Sequence, residues 1–146
     1  FFMKKIIIYS ITTLGILGAS IGSVSVSADS ISTQGNNVDT SYSYDFSPGI
    51  GSTRYTSARP KYDATSAYMK LTNRSKKQNY TANVVDSNNK NFSQTWYVEV
   101  KNINQEYFIY NNAYEDRGSG VKVKIRAYTG DLFGFEASGV WSPDSV

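Results

Sequence analysis

Cysteine and histidine are absent from the 146-residue chain, and proline occurs only three times. Without thiols there is no disulfide, no thiolate nucleophile and no lipid attached through sulfur. Without imidazole, Ser–His and Cys–His catalysis drop out, together with the usual zinc sites. Also missing is the run of ~20 consecutive apolar residues that a helix needs to span a bilayer comfortably. The glycines make no phosphate cradle, because neither "SPGIG" (Ser47–Gly51) nor "GSG" (Gly118–Gly120) opens a helix after a strand. "DSNNKN" (Asp86–Asn91) lacks the glycine and the closing glutamate of a calcium loop. No metal and no cofactor is expected, and the fold must rest on its core.

The N-terminal stretch reads as an address. Lys4 and Lys5 precede a mostly apolar run, Ile6 to Ile21, softened by Tyr, Ser and Thr. Small residues come next in "SVSVSADS", with Val26 and Ala28 placed for a cut between Ala28 and Asp29. Charged start, apolar middle and small-residue exit form the pattern of a secretory signal peptide over residues 1–28. The alternative is an uncleaved anchor, or a strand belonging to the fold. Without Lys4 and Lys5, the 15 basic residues fall to 13 against 12 acidic ones. The apparent basicity is then largely a targeting signal, and no nucleic-acid partner is expected. No stable membrane anchor is expected after cleavage, and the closing "SPDSV" lacks an apolar tail. A secreted, extracellular product is the expectation, and a disulfide-free exported chain fits a Gram-positive cell surface.

Residues 29–39 are polar and unpatterned, and predict a flexible arm. From residue 40 to 146 a period of two dominates, which predicts an all-β domain. Tyr42, Tyr44 and Phe46 alternate with Ser43 and Asp45. A short strand is expected near Ser52 to Ser57, with Pro60 interrupting the chain just beyond it. Ala67, Met69 and Leu71 alternate with Tyr68, Lys70 and Thr72. A hairpin is expected to turn at Asp86 to Lys90, its second arm placing Trp96, Val98 and Val100 on one face. "EYFIY" predicts a strand aromatic on both faces, and Glu115 to Gly120 a polar turn. "VKVKIRAY" sends Val121, Val123, Ile125 and Ala127 inward, and a closing strand sends Phe133, Phe135, Ala137 and Trp141 to one side. No stretch carries a sustained helical stripe. Seven to eight short antiparallel strands, each with one dry and one wet face, predict a β-sandwich.

Two features are candidate binding chemistry. Lys122, Lys124 and Arg126 lie in a row on the outer side of the Val121 strand, with Tyr128 next in line. Residues two apart on a strand are about 6.6–7 Å apart, so these cations form one stripe. It could hold an anionic cell-envelope polymer or an acidic protein, or be only a solvated face that deters edge association. Tyr68, Tyr97 and Tyr128 are also expected on outer faces, where rings can stack on sugars. High strand propensity accounts for them equally well. Carboxylates at Asp86, Glu99, Glu106, Glu115, Asp116, Asp131 and Glu136 are scattered, and nothing singles out a catalytic pair.

"GSTRYTSARPKYDATSAYMKLT" (Gly51–Thr72) and "FEASGVWSPDSV" (Phe135–Val146) resemble an uncharacterised family of small secreted proteins from low-GC Gram-positive bacteria. The resemblance implies export and a compact β domain, and transfers no functional residue. Secreted, non-catalytic binding at the cell envelope is the expectation. The alternatives are a bacteriocin-like effector, or a wall-polysaccharide hydrolase using an unrecognised carboxylate pair.

Overall fold

Alternation in the sequence becomes alternation in burial. The computed structural model describes residues 35–146. The expected signal peptide and the Ala28–Asp29 junction lie outside the described residues. In β1 (Thr40–Phe46), Tyr42, Tyr44 and Phe46 are buried while Ser43 and Asp45 face water. In β4 (Ala67–Arg74), Ala67, Met69 and Leu71 point inward as expected. In β8 (Val121–Thr129), Val123, Ile125 and Ala127 do the same. Fully burying an aliphatic or aromatic side chain contributes about 1.5–3 kcal/mol, so these dry faces drive the two layers together.

Among the described residues, nine strands form those layers, all pairing antiparallel. One sheet has the order β1-β9-β4-β7, with β7 at Glu106–Ile109 and β9 at Phe135–Ser142. The other has the order β2-β8-β5-β6, with β2 at Ser52–Tyr55, β5 at Tyr80–Asp86 and β6 at Val98–Val100. Beyond β2, the short β3 (Arg59–Lys61) also pairs with β8. The core between the sheets is rich in rings. Phe46 packs on Phe135 with centroids 4.8 Å apart, and Tyr44 meets Tyr80 edge-on at 5.8 Å. Burial pushes the Tyr42 hydroxyl up to about 12, against the opposing hydrogen bond from Tyr80.

Four expectations need correction. Pro60 does not interrupt the chain: it sits within β3, opposite Lys122. β3 pairs with β8 alone, and an edge strand is where proline is tolerated. The polar turn expected at Glu115 to Gly120 begins inside a five-residue helix, α1 (Ala113–Arg117), anchored by buried Ala113. Phe133 does not join Phe135 and Trp141 in the core but is 74 % exposed. Gly134, at φ 65°, turns the chain just before β9, so the extended run starts too late to include it. Trp96 lies ahead of β6 and is partly exposed, leaving Val98 and Val100 to face inward.

The last part of the expected flexible arm is tied down at Asn36. Its backbone N–H donates to Asp144 Oδ2 at 2.6 Å, and its side chain binds the Pro60 carbonyl and Arg59. Asp144 also accepts the Tyr62 N–H at 3.0 Å and pairs with Lys61 at 2.8 Å. Both members of that ion pair are fully buried. The segment before β1, the tail after β9 and the end of β3 thus close on one polar knot.

Candidate functional site

The outward residues of β8 are fixed by the inward ones. With Val123, Ile125 and Ala127 in the core, Lys122, Lys124, Arg126 and Tyr128 must face out. Antiparallel register then chooses their neighbours. Arg126 lies opposite Tyr55 of β2 on one side and Asn83 of β5 on the other. Tyr128 lies opposite Thr53 and Thr81. Tyr97 enters from the residue just before β6. These seven residues line an open cleft of about 310 Å³ on the outer face of the five-stranded sheet. Tyr55, Tyr97 and Tyr128 are 39 %, 57 % and 46 % exposed, so these residues are open to solvent rather than packed away.

The loop after β5 braces this face. Asp86 Oδ1 accepts the N–H groups of Asn88 and Lys90 at 2.8 and 2.9 Å, and Asn89 adopts a left-handed φ of 65°. Arg117 of α1 pairs with Asp86 Oδ2 at 2.9 Å. Burial pushes the Asp86 carboxyl up, but the two backbone donors and Arg117 outweigh it and hold it below the usual 3.8. This turn delivers Asn89 and Asn91 to the cation stripe. Lys124 Nζ donates to Asn89 Oδ1 at 3.1 Å and sits 5.7 Å from the Tyr55 ring centroid. Arg126 donates from Nε to Asn83 Oδ1 and from Nη2 to Asn91 Oδ1, both at 2.9 Å. All of these acceptors are neutral amide oxygens. No carboxylate pairs with Lys122, Lys124 or Arg126 among the described residues, so the stripe keeps its positive charge.

The structure therefore brings together Arg126, Tyr128 and Tyr97, with Lys124 beside them and Lys122 one row further along β8. It does not bring in Tyr68. That residue is on β4, in the other sheet, where its hydroxyl donates to Glu106 at 3.3 Å and its ring packs 5.7 Å from Phe108. It lines a separate, acidic cavity of about 380 Å³ with Asp39 and Glu106. Four cleft residues are not among the candidates drawn from the sequence: Thr53, Tyr55, Thr81 and Asn83. Their only signal was a place on strands whose partners a sequence does not reveal.

Several of the scattered carboxylates are engaged structurally. Asp86 holds Arg117, Glu99 pairs with Lys101 at 2.9 Å, and Asp116 accepts the Ser93 N–H and hydroxyl at 2.7 Å. Among the described residues, no group of three or more carboxylates is placed to hold a metal ion.

No curated protein and no solved structure significantly matches the chain. Residues 24–145 match the family described as a protein of unknown function, DUF2712, and the chain belongs to that family.

Proposed function

We propose that this is a secreted, non-catalytic binding protein of the bacterial cell envelope, which holds an anionic, sugar-containing polymer in the cleft around Arg126. The observation that carries this reading is Arg126 lining a cleft with three tyrosines, with no carboxylate paired to it among the described residues. Rings present apolar faces to sugars, while Thr53 and Thr81 offer partners for hydroxyls, and buried Asn83 holds the Arg126 guanidinium in place. Arg126 and Lys124 supply the attraction for phosphate or carboxylate groups. The leader-like N-terminus and the resemblance to small exported proteins support envelope placement.

Sedimentation with isolated cell walls tests the reading. Wild-type protein pelleting at low salt should be released as salt rises, because exposed charge pairs are screened beyond ~10 Å at 0.1 M. Arg126→Gln combined with Tyr128→Ala should abolish pelleting while leaving the thermal unfolding transition cooperative. Pelleting that survives in this variant would overturn the assignment of the cleft. Wall hydrolysis, or killing of neighbouring cells by protein that does not pellet, would favour a hydrolase or an effector instead.

A further inference from the structure

The polar knot between the sheets holds the parts of an acyl-transfer reaction. Lys61 Nζ lies 2.8 Å from Asp144 Oδ1, with neither side chain accessible to solvent. Nζ is steered there by the Thr65 and Pro143 carbonyls, the latter at 2.9 Å. The other carboxylate oxygen, Oδ2, accepts two backbone N–H groups, from Asn36 at 2.6 Å and Tyr62 at 3.0 Å. An amine nitrogen within hydrogen-bond reach of one carboxyl oxygen, with two fixed N–H donors on the oxygen that would carry negative charge, supplies the proximity and the donors that a tetrahedral intermediate needs. Burying an ion pair costs several kcal/mol per ion before attraction is counted, and a neutral product removes that cost.

We infer that Lys61 and Asp144 condense into an intramolecular amide, an isopeptide bond joining β3 to the tail after β9. The step balances without any co-reactant. One proton passes from the Nζ ammonium to Oδ1, giving amine and carboxylic acid. The amine lone pair attacks Cγ, and the negative charge collects on Oδ2 between the Asn36 and Tyr62 N–H groups. A second proton leaves nitrogen for Oδ1, the Cγ–Oδ1 bond breaks, and one water departs. The third proton stays as the amide N–H. Lys61 and the two N–H donors hold the Asp144 carboxyl below its usual range despite its burial, so moving a proton onto it is uphill. Exclusion of water from the knot disfavours the reverse hydrolysis. The contrast with Lys101–Glu99 is instructive. That pair is equally close at 2.9 Å, but it is more than half exposed, and Glu99's other hydrogen bond is to a side-chain amide, not to backbone N–H groups.

Tryptic digestion of the full chain with tandem mass spectrometry decides the matter. Trypsin does not cut Arg59–Pro60 and cannot cut after an acylated Lys61. The expected product is therefore peptide 55–70 branched to peptide 127–146, lighter than their sum by one water. Linear peptides 55–61 and 127–146 at full mass, with no branched species, would overturn the inference. Lys61→Arg keeps the charge but should lose the branched peptide. A missing water that persists in that variant would place a dehydration within peptide 127–146 itself and would equally overturn the bond. Lys101 and Glu99 should remain unlinked in the same digest.

Discussion

Tyr42 and Tyr80 meet hydroxyl to hydroxyl at 2.8 Å inside the sandwich, one from each sheet. Each hydroxyl satisfies the other in a place where an unpartnered one would be costly. Tyr44, next but one along β1, is as deeply buried, yet its hydroxyl has no hydrogen-bond partner among the described residues. The same substitution should therefore act in opposite directions at two neighbouring rings. Tyr80→Phe strands the Tyr42 hydroxyl and should cost ~1–3 kcal/mol, whereas Tyr44→Phe removes a desolvated polar group and should leave stability unchanged or raised. Urea unfolding of the two variants beside wild type measures both. A Tyr44→Phe protein as destabilised as Tyr80→Phe would contradict the pairing.

Asp86 makes stability sensitive to acid. Its carboxyl is held below the usual 3.8 in the folded state, so it favours folding at any pH above that value. That contribution declines as pH falls through the lower, folded-state pKa. Wild type should be more stable than Asp86→Asn at pH 7, and the gap should narrow once the pH drops below ~3.9, the ordinary range for aspartate. Thermal melting of both proteins between pH 7 and pH 2.5 tracks the convergence. Curves that stay parallel would mean the carboxylate charge contributes nothing to the turn.

Gly139 of β9 lies opposite Leu71 of β4, where the two strands leave no room for a side chain. A Cβ there would fall 2.0 Å from the Lys70 carbonyl oxygen and 2.9 Å from the Tyr42 hydroxyl. The first obstacle is backbone, which cannot swing aside, and the β-bulge between Leu71 and Asn73 adjoins it. Gly139→Ala should cost ~1–3 kcal/mol or more by overpacking. Calorimetry should show a lower melting temperature. By contrast, alanine at Gly118, where a Cβ would meet nothing within 4 Å, carries only the strain of its φ of 78°.

The inward faces of the strands could be read ahead of the structure from their period of two. β1, β4 and β8 each display their buried side as every second residue, so those faces were legible without knowing any partner. Partnership itself was not. Tyr68, Tyr97 and Tyr128 look alike as outward tyrosines, yet strand order puts Tyr68 on one sheet and the other two on the opposite one. Tyr55 and Asn83 become neighbours of Arg126 only through register, which a single chain's pattern does not carry. Lys61 was the least legible of all, since a lysine beside proline reads as surface until its acceptors arrive from residues 65, 143 and 144.

The knot at Lys61, Asp144 and Asn36 also has a mechanical meaning. β1 and β9 run antiparallel, with Thr40 opposite Trp141. The chain thus enters β1 and leaves β9 at the same end of the pair. Tension applied through those two segments would peel the ladder open one rung at a time, the geometry in which paired strands resist least. The knot sits between the point of pull and the first rung. Whether ionic or covalent, it turns a zipper into a latched one.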